Sequence, residues 1–127
     1  AKLALIEKAH EHGVPIISAM GCGNRFDPTK LVVTDIYKTE MDPLAKVMRK
    51  ELKKRGIKKL KVVYSTEEPL KPMDFDEDGQ KIMASSQVAA AGQTRAKSVP
   101  GSTAFVPSAA GLIIASQVAF DLTEDLR

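Results

Sequence analysis

Val14-Pro-Ile-Ile-Ser-Ala-Met-Gly-Cys-Gly-Asn24 passes from a short apolar run into a glycine-rich exit. A run of that length closed by glycines suits a buried strand. Pro15 removes one amide donor, which a strand tolerates near its first residue. Immediately downstream, Arg25 to Lys30 contains Asp27-Pro28, the chemistry of a turn. Leu31 to Tyr37 is rich in β-branched residues and reads as a second strand. Because a turn joins the strands at 14–20 and 31–37, some antiparallel pairing is expected. Upstream, residues 1–12 place Leu3, Leu5, Ile6 and Ala9 at helical spacing, and Gly13 supplies the usual residue past a helix end. No Ser, Thr, Asp or Asn precedes that helix as an N-cap. The expectation is a piece of a longer chain, with more polypeptide upstream of Ala1.

Further along, Asp42-Pro43 is a helix start, with Asp as N-cap and Pro at the first helical position. Leu44, Val47, Met48, Glu51 and Leu52 follow at helical spacing, and Gly56 closes the helix. Leu60 to Tyr64 reads as a third strand. Ser65 to Pro100 is dominated by Ser, Ala, Gly, Gln, Pro and charge, with a short helix allowed at 80–91. A connection of this length is usually functional. Gly101 to Val106 has room for a short strand. Ser108 to Leu122 reads as a helix whose many small residues let it lie close on a sheet. The order of elements describes the back half of an α/β fold with a mixed sheet.

Composition narrows the alternatives. The chain has 127 residues, 43% of them apolar, enough for one core. Trp is absent and aromatics make up only 5%, so the core is aliphatic, which favours a sheet covered by helices over an all-β sandwich. One Cys excludes an internal disulfide and fits a reducing, cytoplasmic location. The four-Cys zinc pattern is excluded for the same reason. There is no signal peptide, and the longest apolar stretch, 109–120, is interrupted by Ser116 and Gln117 and short for a bilayer, so no membrane partner is expected.

Several local signals bear on chemistry. Gly21-Cys22-Gly23 after a strand has the first two glycines of a dinucleotide loop, but Phe26 stands where the third belongs and no helix opens there. The glycines still allow close backbone approach at a strand end, where open α/β sheets place ligands; an ordinary strand-to-turn exit is the alternative. Cys22 could act as a nucleophile or sulfur acceptor only with a lowered pKa, for which Arg25 is the candidate cation; a buried or merely tolerated thiol is the favoured alternative. Asp74-Phe-Asp76-Glu-Asp78-Gly79 copies the first half of a calcium loop, yet Ser85 stands where the bidentate Glu should be, so a solvated acidic loop is expected and no metal site is assigned. Lys46, Arg49, Lys50, Lys53 and Lys54 fall along one helix face, a stripe able to track a phosphate backbone. No aromatic is interleaved in sequence, so the stripe would position a nucleic acid without reading it. A solvated helix face is the competing account.

Taken in order, the segment 14–24, Asp27-Pro28-Thr29, Asp35-Ile-Tyr-Lys-Thr39, Asp42-Pro-Leu-Ala-Lys46, Val63-Tyr-Ser-Thr-Glu67 and Gly101-Ser-Thr-Ala-Phe-Val-Pro107 resemble the second half of the ThiF/MoeB/HesA proteins. Within that group they most resemble the branch that dehydrates threonylcarbamoyladenosine in tRNA. The resemblance implies a Rossmann-like mixed-sheet activating-enzyme fold over 1–127, with a long crossover loop at 66–100 and a strand plus C-terminal helix at 101–122. It implies that the parent enzyme uses ATP and Mg2+ to adenylate a carboxylate, making AMP the leaving group for ring closure. The principal catalytic residues would lie upstream of Ala1, so the chain alone would bind no cofactor. Lys2 matches a Lys of the nucleotide site. Gly21, Cys22, Gly23, Asn24, Arg25 and Asp27 would sit near the substrate, and Lys46, Arg49, Lys50, Lys53 and Lys54 would meet tRNA. A homodimer and a cysteine desulfurase system are the further partners implied. Two alternatives remain: a piece of an adenylyltransferase for a ubiquitin-like sulfur carrier, or a non-catalytic dimerisation or RNA-binding module. The sulfur-transfer relatives carry a crossover-loop Cys, which 66–100 lacks.

Overall fold

The computed structural model describes residues 1–71, 73–75, 77–83 and 101–127. Helix α1 spans Lys2–Glu11, with Gly13 at φ 64° past its end. Strand β1 is Ile17–Ala19, shorter than the apolar run. The Val14 amide turns back to the Ala9 carbonyl at 2.9 Å and Pro15 has no N–H, so pairing begins only after them. A 3-10 turn, Pro28–Lys30, leads into β2, Leu31–Asp35. The strand stops there because the Asp35 carboxylate accepts the Tyr37 amide at 2.9 Å, bending Ile36–Lys38 into a second 3-10 turn. Helix α2 is Pro43–Lys54, capped by Asp42, and β3 is Lys61–Ser65.

The sheet runs β1-β3-β2, with β1 parallel and β2 antiparallel to β3. A mixed sheet is therefore present, but the antiparallel partner of β2 is β3, which separates β1 from β2. The β3 segment Val62-Val63-Tyr64 is buried throughout, as a central strand covered on both faces must be. Val62 and Tyr64 join the core formed with Ile6, Met48 and Leu52 of α1 and α2. Val63 points the other way, toward helix α3, Phe105–Leu122, which lies on β1 and β3 through Val106 and Ala110.

Three expectations change. On α2 the buried face is Ala45, Met48 and Leu52, while Leu44 and Val47 are 39% and 59% exposed. Residues 101–106 form no strand: Gly101 bonds to Asn24 and α3 already starts at Phe105, where Pro107 fits the first turn. Within 66–100, Met73–Phe75 and Lys81–Met83 pair as an antiparallel hairpin, β4 and β5, turned at Gly79 with φ 76°. Asp74, Glu77 and Asp78 are thus part of a hairpin, and no helix begins at residue 80. The remainder of that helix expectation, together with Asp76 and Ser85, lies outside the described residues. The hydropathy reading also shifts. The 18 residues of α3 have a mean hydropathy of 1.5 and are long and apolar enough to cross a membrane by length and composition, which the narrower 109–120 stretch did not show. Its Asp121 is paired with Lys61 of β3 at 2.8 Å.

Candidate functional site

The loop leaving β1 is held by three carboxylates and one guanidinium. Asp42, 3% exposed, caps α2 by accepting the Ala45 amide at 3.0 Å through Oδ1. Its Oδ2 accepts the Gly21 amide, also at 3.0 Å. A Cβ on Gly21 would stand 3.3 Å from both Asp42 Oδ1 and Arg25 Nη1, so this position favours glycine by close approach. What approaches it is the protein's own carboxylate rather than a phosphate.

Arg25 is equally buried, at 3% exposure. Its guanidinium donates to the carbonyls of Gly21 at 2.8 Å, Gly23 at 3.2 Å, Met41 at 3.4 Å and Glu67 at 3.4 Å. Nη2 lies 4.0 Å from Asp42 Oδ2. Arg25 therefore folds the loop around itself, and its donors are committed within the protein. Glu67, after β3, accepts the Phe26 amide at 3.0 Å and the Asp27 amide at 2.9 Å. Asp27 accepts from the amide and hydroxyl of Thr29, at 2.9 and 2.6 Å, and these bonds hold its carboxyl below the ordinary carboxylate range.

Asn24 is the node of the loop. It takes a left-handed backbone, φ 59°, which Asn adopts more readily than most residues. Its amide donates to Gly101 O at 2.8 Å and its side chain accepts Gly101 N at 2.7 Å. Its carbonyl accepts Leu70 N at 2.6 Å. Both flanks of the long connection are therefore tied to one residue at the tip of β1. Asn24, Phe26, Leu70, Lys71 and Thr103 border a cavity of about 250 Å³ there, and Phe26 meets Phe105 edge to face, with centroids 5.5 Å apart.

Lys2 reaches the same strand tip, donating to Ala19 O at 2.7 Å. Cys22 lies close by, its thiol 3.6 Å from Met20 O. Burial pushes that thiol up; Arg25 opposes the shift, Asp42 adds to it and Lys2 opposes it, leaving the pKa raised. Arg25 thus does not activate Cys22. Alkylation of the native chain at pH 7–8 is expected to be slower than that of a free cysteine and still rising above pH ~8.5. Cys22→Ser in the parent protein is expected to retain most activity. A fast-reacting thiol, or loss of turnover in a folded Cys22→Ser protein, would contradict this assignment.

Lys46, Lys50, Lys53 and Lys54 stand exposed along the outer side of α2. Arg49, on the same stripe in sequence, is half-buried and donates to Thr39 O at 3.0 Å and to the Thr39 hydroxyl, so it ties α2 to the turn before it. Lys54 also pairs with Glu51 at 3.5 Å. Sequence reasoning missed Asp42 as a loop anchor, having read it only as an N-cap, and missed Glu67 altogether. Neither role has a local signal, because their partners lie 21 and 40 or more residues away. Among the described residues, no group of three His, Cys, Asp or Glu side chains could hold a metal.

No family model matches the chain. Its sequence is 41% identical over 127 residues to a tRNA threonylcarbamoyladenosine dehydratase of Bacillus subtilis, covering 99% of this chain and 48% of that protein. Its fold is similar to that of a solved chain described as TcdA (CsdL), with a TM-score of 0.73 and 26% identity over 98% of this chain and 44% of the other. It is likewise similar to the Escherichia coli tRNA N6-threonylcarbamoyladenosine dehydratase solved in complex with AMP, with a TM-score of 0.71 and 26% identity over 97% and 44%. The chain spans about half the length of the Bacillus subtilis relative. Over 99% of its length the chain is thus similar to about half of a tRNA threonylcarbamoyladenosine dehydratase, and its fold is similar to that of the TcdA (CsdL) structures.

Proposed function

We propose that the chain is the C-terminal half of a cytoplasmic, homodimeric, ATP-dependent tRNA threonylcarbamoyladenosine dehydratase. The observation that carries this reading is the 41% identity over 99% of the chain to a protein of that activity. ATP would supply the adenylate that makes a carboxylate oxygen a good leaving group, with Mg2+ screening its phosphates. The described residues at the β1 exit do not build that nucleotide site: Phe26 interrupts the glycine pattern and Arg25 is committed to backbone carbonyls. The ATP-binding and principal catalytic groups are assigned to the other half of the parent protein, with Lys2 a cation of this chain offered to them.

The chain's own contribution is a rigid strand-tip loop, Gly21–Asp27, against which an acyl group is oriented, and a cationic helix for tRNA. Exposed Leu112, Phe120 and Leu122 on α3 give an apolar surface for a second copy to cover. The sulfur-carrier alternative is disfavoured by the raised pKa of Cys22, the only thiol. A link to a cysteine desulfurase rests on the family resemblance alone.

The chain by itself is expected to release no pyrophosphate from ATP, with or without modified tRNA. Cells lacking the parent gene are expected to accumulate open threonylcarbamoyladenosine and lose its cyclic form in a tRNA nucleoside mass profile. Turnover by the chain alone would overturn the division of labour between the halves; an unchanged nucleoside profile would overturn the dehydratase reading.

A further inference from the structure

The cationic stripe carries no aromatic in sequence, but the fold brings one to it. Tyr37, from the 3-10 turn after β2, sits under the end of α2 with the Lys53 ammonium 5.9 Å from its ring centroid. The ring packs on the core, and its hydroxyl donates to the Ile57 carbonyl, so its orientation is fixed. Tyr37, Lys53, Gly56, Ile57 and Lys58 border an open cleft of about 350 Å³. Lys58 is exposed at its rim, and Lys50, one turn back along α2 from Lys53, is exposed too. The Asp35 carboxylate, two residues before Tyr37, is occupied by the Tyr37 and Leu60 amides. A fixed aromatic face with ammonium groups around it is the arrangement that holds one unstacked base and its phosphate.

We propose that this cleft is a single-stranded RNA subsite, in which one nucleobase stacks on Tyr37 while Lys53 and Lys58 take the adjoining phosphates. The proposal rests on the reading of α2 as a tRNA-facing surface and adds to it a non-electrostatic contact. Lys53 leaves the ring as the base arrives and exchanges a cation–π contact for a phosphate. The contact is tolerant of base identity, since every base has a π face.

The chain suits a direct test because it has two tyrosines and no Trp, and Tyr64 is buried at 7% exposure in β3. A change in tyrosine emission on adding a single-stranded RNA of about ten nucleotides therefore reports on Tyr37. Emission is expected to change saturably. Tyr37→Leu is expected to weaken RNA binding about ten- to a hundredfold, the range that base–aromatic stacking supports, with the salt slope and heparin affinity unchanged. Tyr37→Phe, which keeps the ring, should bind within about threefold of the native chain on the same stacking argument. Unchanged emission at saturating RNA, or native RNA affinity in folded Tyr37→Leu, overturns the subsite. Absence of any RNA binding overturns both the subsite and the tRNA reading of α2. The nucleoside profile tests the dehydratase activity independently of either.

Discussion

Asp42→Ala is expected to destabilise the chain by about 3–5 kcal/mol, the range for removing one partner of a buried ion pair. Three losses coincide. The N-cap bond to Ala45 disappears, worth about 1 kcal/mol. The Gly21 amide loses its acceptor. Arg25, 3% exposed, keeps its carbonyl partners but loses its counter-charge. Because those carbonyls remain, the lower end of the range is expected. Asp42→Asn retains an acceptor oxygen at the cap and should cost clearly less. Leu44→Ala on the same helix, at a position 39% exposed, is a control expected to cost little. Urea unfolding of the three variants measures this. An Asp42→Ala protein within about 1 kcal/mol of the native one would show that the loop does not depend on this anchor.

Charge reversal of Lys50, Lys53 and Lys54 to Glu is the second large effect expected, here on binding. If each lysine neutralises one phosphate, their loss reduces the slope of log K against log salt by about 2–2.7, from about 0.7 per contact on a single strand to about 0.9 on a DNA duplex. Affinity for tRNA at low salt should then fall by a hundredfold or more, roughly, since three repulsive contacts replace three attractive ones. All three side chains are exposed, so the fold should survive; Lys54 gives up only its surface pair with Glu51 and Lys53 its contact with Tyr37. Filter binding across a salt series, with circular dichroism to check folding, decides the point. An unchanged affinity and slope would reduce the stripe to a solvated helix face.

The two predictions differ in how visible their residues were beforehand. The lysines announced themselves by helical spacing, a property of neighbouring residues that needs no tertiary information. The same holds for Asp42-Pro43 as a helix start and for Gly13 and Gly56 as helix ends, at φ 64° and 72°. The apolar face of α2 was only partly legible. Leu44 and Val47 have the hydrophobicity of core residues but stand outside the arc that meets the sheet, while Ala45, small and unremarked, is fully buried. Which arc of a helix turns inward is set by what it packs against.

The sequence by itself determined an α/β chain, the approximate place of its helices and strands, the glycine-rich exit after β1, the single thiol and the line of lysines on α2. Each follows from local backbone preference or from periodicity along one element. Tertiary structure alone decided that β3 lies between β1 and β2, that Gly21 makes room for Asp42, and that Arg25 closes the loop on itself. It also decided that Glu67 and Gly101 meet that loop from opposite sides of the long connection, and that Tyr37 lies beneath Lys53. Apart from the Arg25 bonds to Gly21 and Gly23, these are contacts between residues 16 to 77 positions apart. Their partners are chosen by packing and by the need to satisfy buried polar groups, and no spacing along the chain encodes that choice.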